Sequence, residues 1–92
     1  MIISFRHKGI EILYRTGSPR GVRAAHVSKL SRILAALDAA TAPAELNQPG
    51  YRLHPLKGPL KGHWSVWVSG NWRVTFRFVG ADVELIDYQD YH

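Results

Sequence analysis

The sequence of 92 residues predicts an α+β fold, with two N-terminal helices packed on one face of a small, mostly antiparallel β-sheet. Two periodicities predict this fold class. Apolar residues recur at helical spacing in residues 1–43, and they alternate with polar residues in residues 51–92. A chain of this length buries roughly 60–70% of its unfolded surface, which is enough for one small core. We therefore expect residues 1–92 to form a single domain.

The first half of the sequence predicts two helices. Ile10, Leu13 and Tyr14 lie at helical spacing, and Gly17-Ser18-Pro19 ends the first helix. A second helical pattern, rich in alanine, extends from about residue 23 to residue 40. Its apolar positions share one arc and are Val27, Leu30, Ile33, Leu34 and Leu37. This arc is expected to face the sheet.

The charge of the chain favours an anionic partner. Twelve Lys and Arg residues against seven Asp and Glu residues give a net charge of +5. Such a charge suits a polyanion because cations neutralise phosphates and release counterions, although it can also serve solubility alone. Lys29 and Arg32 lie off the apolar arc of the second helix. They are typical first of a solvated helix face and second of a stripe that contacts phosphates.

Several function classes are excluded or disfavoured by composition. The absence of cysteine excludes disulfides and thiolate metal sites. The apolar runs fall short of the ~20 residues of a membrane helix, and the N-terminus lacks a signal peptide, so we expect a cytoplasmic protein. Asp87, Asp90 and His92 could hold a divalent ion, but the carboxylates are few and opposite in strand parity. We expect no metal and no cofactor.

The second half of the sequence predicts a β-hairpin. A three-residue loop, Ser69-Gly70-Asn71, gathers the apolar residues of both strands on one face, whereas a two-residue loop would mix them with cations. The expected pairs are Val68 with Trp72, Val66 with Val74, Trp67 with Arg73 and Ser65 with Thr75. The polar residues of the hairpin then share the opposite face, which we expect to be open.

A third strand is expected from about Val83 to Tyr88, after a turn at Gly80-Ala81-Asp82. Strict alternation along this strand places Val83 and Leu85 on the core face. It places the other set on the face that carries Arg73, namely Glu84, Ile86, Tyr88 and, if the chain stays extended, Asp90 and His92.

The face of Arg73 combines cations, an aromatic ring and titratable groups. Its expected residues are Arg73, Arg77, Trp67, Asp90 and His92, joined by His54 and Lys57 from the preceding segment. Cleavage of an RNA phosphodiester by the ribose 2′-hydroxyl needs a base, a cation for the phosphorane and an acid for the 5′-oxygen. His92 can act as acid or base near neutral pH, and Arg73 offers a phosphate a rigid fork of donors. These groups can perform the reaction without a metal.

Each of these residues also has a common structural explanation. The terminal His92 is typical of a frayed chain end, and Arg73 of a solvated strand face. His54 can satisfy a local hydrogen bond, and Lys57 precedes a glycine, as in many turns. Trp67 can stack on a base or bury against a protein partner.

The sequence resembles the HigB toxins of the RelE/ParE superfamily along essentially its whole length. The residues that match are Phe5, His7-Lys8-Gly9, Leu53-His54-Pro55-Leu56-Lys57-Gly58, Trp64-Ser65, Asn71-Trp72-Arg73-Val74-Thr75-Phe76, Asp87-Tyr88 and Asp90-Tyr91-His92. Each block alone is weak, but together they are specific. The segment 59–62 and Trp67 lie where we expect relatives to vary.

The resemblance implies a bacterial type II toxin that cleaves mRNA in the A site of the 70S ribosome without a metal. It also implies a HigA-type helix-turn-helix antitoxin, through which alone the toxin would meet operator DNA. The implied catalytic roles are transition-state stabilisation by Arg73, acid or base chemistry by His92, orientation by Asp90, phosphate binding by His54 and Lys57, and base stacking by Tyr91. An RNA-binding surface is expected at Lys8, Arg20, Arg23, Lys61, Trp67 and Arg77, with the role of Trp67 inferred from its exposure and not from the family.

Two other functions stay open at the level of sequence. The same superfamily includes toxins that poison DNA gyrase and cut no RNA, so fold alone does not determine the activity. A basic RNA-binding module without catalysis is the other alternative.

Overall fold

The computed structural model describes residues 1–90, so Tyr91 and His92 lie outside the described residues. The helices are α1 (Lys8–Thr16) and α2 (Val27–Ala39), with short 3-10 turns at Ala24–His26, Pro43–Leu46 and Gly58–Leu60. The strands are β1 (His54–Pro55), β2 (His63–Ser69), β3 (Trp72–Val79) and β4 (Asp82–Asp90). They form one antiparallel sheet in the order β1-β2-β3-β4. The predicted α+β class is confirmed.

Both helices have ends that the sequence explains. His7 caps α1, since its Nδ1 accepts a hydrogen bond from the Ile10 amide at 3.2 Å. Gly17 ends the helix in the left-handed region, at φ 78°, and its N–H donates to the Leu13 carbonyl. The second predicted helix begins as a 3-10 turn and becomes α-helical at Val27. No helix within residues 1–90 is long and apolar enough to cross a membrane.

The core lies between the helices and one face of the sheet. Its fully buried side chains are Ile10, Leu30, Ile33, Leu37, Leu46, Val66, Val74, Phe76, Val83 and Ile86. Each such side chain contributes about 1.5–3 kcal/mol relative to exposure. Because the apolar side chains of the sheet face the helices, the other face of the sheet carries polar side chains such as Ser65, Thr75 and Arg73.

The start of α1 lies close to the loop before α2. A Cβ added at Gly9 would clash with the Gly21 carbonyl oxygen, so glycine is required at this contact.

The hairpin register matches the prediction except at the loop. Ser65 pairs with Thr75 and Trp67 with Arg73, as expected. Trp72, however, pairs with Ser69 and not with Val68, because the register shifts between Trp67 and Ser69. The predicted Val68–Trp72 pair is wrong. β2 contains one extra residue at this shift, and Val68 stays buried. Because β2 extends to Ser69, the loop consists of Gly70 and Asn71 and is shorter than the predicted three-residue loop.

Strict alternation fails in β4. As a result, the side chains in the second half of this strand lie on the face opposite to the predicted one. Leu85 has φ 57°, and the register with β3 shifts between Thr75 and Arg77, which is a β-bulge. One extra residue moves every later side chain to the other face. The prediction that put Leu85 in the core and Ile86, Tyr88 and Asp90 on the face of Arg73 is therefore wrong.

The observed pairing shows which residues of β4 share the face of Arg73. Glu84 pairs with Arg77, as predicted, and it lies before the bulge. After the bulge, Gln89 pairs with Arg73, whereas Asp90 pairs with Trp72 on the helix side.

Candidate active site

A cavity of ≈ 280 Å³ lies on the sheet face opposite the helices, and Arg52, His54, Ser65 and Arg73 line it. His54 comes from β1, Ser65 from β2 and Arg73 from β3, while Arg52 lies two residues before the start of β1. Because neighbouring strands place paired residues on one face, four separate segments of the sequence converge here.

Small hydroxyl side chains lie between the longer residues of this face. His54 pairs with Ser65, Ser65 with Thr75, and Thr75 with Asp87, so these positions form one row across all four strands. Ser65 is 3% exposed and Thr75 is 2% exposed. The short side chains leave room above the sheet, and the arginines and His54 form the sides of the cavity.

Within residues 1–90, the arginines of the cavity have no carboxylate partner. Ion pairs between residues of 1–90 join the N-terminal amine to Asp82, Arg15 to Glu11 and Arg77 to Glu84. Neither Arg52 nor Arg73 belongs to such a pair, and the Arg73 guanidinium donates only a long hydrogen bond, of 3.5 Å, to the Trp72 carbonyl. Arginine forks without a partner suit an anion such as phosphate.

Asp87 is the carboxylate that β4 contributes to this face, and its oxygens are already engaged. Gln89 Nε2 donates to one carboxylate oxygen at 2.8 Å, and the Tyr88 amide donates to the other at 2.9 Å. The same Gln89 amide reaches Thr75 Oγ1 at 3.5 Å. This network lies beside Arg73 without neutralising it.

The structure brings together only part of the predicted catalytic set. His54 and Arg73 share the cavity. Lys57 is exposed, immediately before the 3-10 turn Gly58–Leu60, and it does not line the cavity. Asp90 lies on the opposite side of the sheet from Arg73 by its pairing, and it has polar contacts of its own. Tyr91 and His92 are outside the described residues, so their roles stay predictions.

The predicted RNA-binding residues occupy several surfaces. Lys8, Arg20 and Lys61 are exposed at α1, at the loop before α2 and after a 3-10 turn. Arg77 forms an ion pair with Glu84, in which its Nε and Nη2 both donate to the same carboxylate oxygen, Oε2. Arg23 lies over the Trp72 ring at 5.6 Å, on the helix side. None of these residues lines the cavity, and their contribution to RNA binding stays a prediction.

The helix side of β4 holds a paired aromatic cluster directly behind this face. The Tyr88 hydroxyl and His26 Nδ1 share a hydrogen bond of 2.6 Å, and Tyr88 stacks on Trp72 with ring centroids 4.5 Å apart. Burial, and then the charge of Arg23, lower the pKa of His26. Burial likewise raises the pKa of Tyr88. Both shifts favour the uncharged forms of His26 and Tyr88. In these forms the two side chains connect the start of α2 with the end of β4.

Sequence reasoning missed Arg52 as a site residue. Arg52 has φ 49°, a left-handed backbone conformation that is uncommon outside glycine, and it lies in a segment without periodicity. Ser65 was predicted to lie on the polar face, but not to line a cavity. No group of three or more His, Asp or Glu side chains that could hold a metal occurs in the described part of the chain.

The fold and the cavity define a class of protein. Two helices on one face of an antiparallel sheet, with the arginines of the cavity on the other face, form an α+β fold that is consistent with RelE-like toxins. The family model described as "RelE-like toxin of type II toxin-antitoxin system HigB" matches residues 3–92, and the chain belongs to this HigB-like toxin family.

Two relatives are similar to the chain over its whole length. "Endoribonuclease HigB" of Proteus vulgaris is 47% identical over 92 residues and is covered completely, as is this chain. "Toxin HigB-1" of Vibrio cholerae serotype O1 is 35% identical over 94 residues, with 100% of this chain and 98% of the relative covered. The resemblance found in the sequence is confirmed, and membership of a type II toxin family implies an antitoxin partner.

Proposed function

We propose that this toxin is a ribosome-dependent endoribonuclease that cleaves mRNA in the ribosomal A site and thereby inhibits translation. The observation that supports it most directly is the cavity that His54 and Arg73 line together, in which Arg73 has no carboxylate partner among residues 1–90. The name of the relative from Proteus vulgaris agrees with this activity. The cavity is suited to one phosphodiester and to the charge that it gains during cleavage.

The proposed reaction needs only the substrate and side chains that move protons. The ribose 2′-oxygen forms a bond to phosphorus, and the bond from phosphorus to the 5′-oxygen breaks, which yields a 2′,3′-cyclic phosphate and a 5′-hydroxyl end. A base takes the proton of the 2′-hydroxyl, and an acid gives a proton to the 5′-oxygen. Arg73 donates to the non-bridging oxygens, where negative charge grows in the transition state.

His54 contributes an imidazole ring to the lining of the cavity. An imidazole can accept or donate a proton near neutral pH, so His54 can hold the phosphate or take part in proton transfer. We propose that His92 supplies the second proton-transfer group, that Asp90 orients it, that Tyr91 stacks on a base and that Lys57 polarises the phosphate. These four roles follow from the resemblance to the family.

The proposed setting is the bacterial cytoplasm, where the 70S ribosome presents the mRNA. The antitoxin is proposed to be of the HigA type, with a helix-turn-helix, and contact with operator DNA would then pass only through it. The exposed cations Lys8, Arg20, Arg23 and Lys61 are proposed to meet ribosomal RNA.

Primer extension on a defined mRNA in a purified translation reaction tests the proposal. We expect wild-type protein to cut at the A site only when ribosomes are present, and Arg73→Ala and His54→Ala variants to leave the mRNA intact. Arg6→Ala is the matched control, since it removes one exposed positive charge from a residue that does not line the cavity. Circular dichroism of each variant confirms that it is folded.

The opposite result identifies the alternative function. If folded wild-type protein stops growth, damages DNA and leaves mRNA intact, the nuclease proposal is wrong and a protein target such as gyrase replaces it. If mRNA stays intact and DNA is undamaged while the protein still binds ribosomes, the chain is an RNA-binding module without catalysis.

A further inference from the structure

Two cations lie over the indole ring of Trp67, at the border of the cavity. Lys29 Nζ is 4.4 Å and Arg52 Cζ is 4.1 Å from the ring centroid. The ring is held in place, because its Nε1 donates to the Gly70 carbonyl at 2.9 Å and the Trp67 amide donates to the Tyr51 carbonyl. Trp67 therefore acts as a fixed platform for positive charge.

The two cations repel one another in the free protein. Neither Lys29 nor Arg52 forms an ion pair with any residue of 1–90, and the polar partner of Lys29 Nζ is the Gly50 carbonyl at 3.0 Å. Burial lowers the pKa of Lys29 first, and the charges of Arg32 and Arg52 lower it further. The repulsion between like charges that lack a counter-charge is relieved when an anion binds beside them.

Arg52 connects this cation pair with the cavity. Its side chain lines the cavity together with His54 and Arg73, and it also lies over Trp67. Its backbone adopts φ 49°, which is costly for a residue with a Cβ and is typical of positions where function sets the conformation. The Arg52 guanidinium therefore lies where the cavity of His54 and Arg73 meets the pair of cations over Trp67.

We propose that Lys29 and Arg52, supported by Trp67, form a second phosphate subsite that binds the phosphodiester next to the one in the cavity of His54 and Arg73. This inference rests on the proposed function, and it specifies the ligand as single-stranded RNA with two consecutive phosphodiesters. Trp67 supports the cations and does not offer its ring to a base. That role replaces the stacking on a base that its exposure first indicated.

Binding of two 2′-O-methyl oligonucleotides tests the subsite without any cleavage. A dinucleotide has one phosphodiester and a trinucleotide has two, and binding is followed by NMR through the Trp67 indole N–H. We expect wild type to bind the trinucleotide more tightly than the dinucleotide. In Lys29→Gln this advantage is lost, while the affinity for the dinucleotide is unchanged.

The dependence of binding on salt gives a second readout. For single strands, the slope of log K against log salt changes by about 0.7 for each neutralised phosphate. We expect Lys29→Gln to reduce the slope for the trinucleotide by about this amount. Arg52→Gly should also reduce it, and glycine accepts the left-handed backbone, so this variant is expected to fold. Arg6→Gln is the matched control, because it removes one exposed positive charge from a residue that does not line the cavity.

Several results would overturn the subsite. They are equal affinities of wild type for the two oligonucleotides, no binding of the trinucleotide, and equal losses in Lys29→Gln and Arg6→Gln. A loss in Trp67→Leu with none in Lys29→Gln would show base stacking instead. The proposed function fails separately, since intact mRNA in the translation reaction with selective trinucleotide binding would refute cleavage and keep the subsite.

Discussion

The two sides of the sheet differ in whether their polar side chains have partners within the described residues. On the helix side, Tyr88 and His26 share a buried hydrogen bond, and Trp72 stacks on Tyr88. On the cavity side, Arg52 and Arg73 face the same space with no carboxylate partner among residues 1–90. The first arrangement stabilises the fold, whereas the second leaves two guanidinium groups open to an anion.

This contrast separates residues that hold the structure from residues that act on substrate. Natural proteins satisfy their local rules nearly everywhere and violate them at functional sites. The left-handed backbone of Arg52 and the Arg73 guanidinium, which has no ion pair within residues 1–90, are such violations at one cavity. The left-handed backbone of Leu85 belongs instead to the bulge in β4. Changes on the cavity side should therefore alter activity, and changes on the helix side should alter stability.

Arg73→Ala should give the largest effect and should act on activity alone. Loss of one preorganised donor to a developing oxyanion costs about 10²–10³-fold in rate. Unfolding free energy should change by less than about 0.5 kcal/mol, because the guanidinium makes no ion pair within residues 1–90. Single-turnover cleavage on ribosomes and urea unfolding measure the two quantities. A variant that lost stability in proportion to activity would contradict the separation.

Tyr88→Phe should have the reverse signature. Removal of the hydroxyl leaves His26 Nδ1 buried without its partner, which costs about 1–3 kcal/mol of unfolding free energy. Urea unfolding measures the loss, and cleavage by the folded variant should fall far less than in Arg73→Ala. If stability stayed at the wild-type value, the buried hydrogen bond would not be what joins α2 to β4.

The pH dependence of stability should carry a contribution from His26. Its pKa is lowered in the folded state by burial and by Arg23, relative to about 6.5 in the unfolded chain. Below that pH the unfolded chain binds the proton more readily, so the free energy of unfolding falls as the pH falls, and above it the contribution is complete. His26→Gln should lose less stability than wild type on acidification. Equal losses in both proteins would show that other groups cause the acid sensitivity.

The sequence predicted those parts of the fold that depend on periodicity. The apolar arc that includes Leu30 and Ile33 is buried, and the pairing of Trp67 with Arg73 is as expected. Both errors in the sheet arise from an extra residue, near Val68 in β2 and at Leu85 in β4. A bulge is set by the packing of the whole sheet, and a leucine at φ 57° gives no local signal.

The candidate site was predictable only where one face of one hairpin determined it. The alternation of β3 placed Arg73 correctly, and the matched motif identified His54. Asp90 was placed on the wrong face because the bulge at Leu85 changes the parity of β4. Arg52 could not be found, since its position depends on the contact of a loop with Trp67.

Glu84→Gln should give the smallest effect and should sharpen the difference between two arginines on the same strand. The ion pair of Arg77 with Glu84 lies partly in solvent, so its loss should cost less than about 1 kcal/mol and even less at high salt. Urea unfolding at low and high salt measures this. The same change removes the charge that neutralises Arg77, so RNA binding by Glu84→Gln should become slightly tighter. Weaker binding would show that Arg77 contacts RNA only while Glu84 orients it.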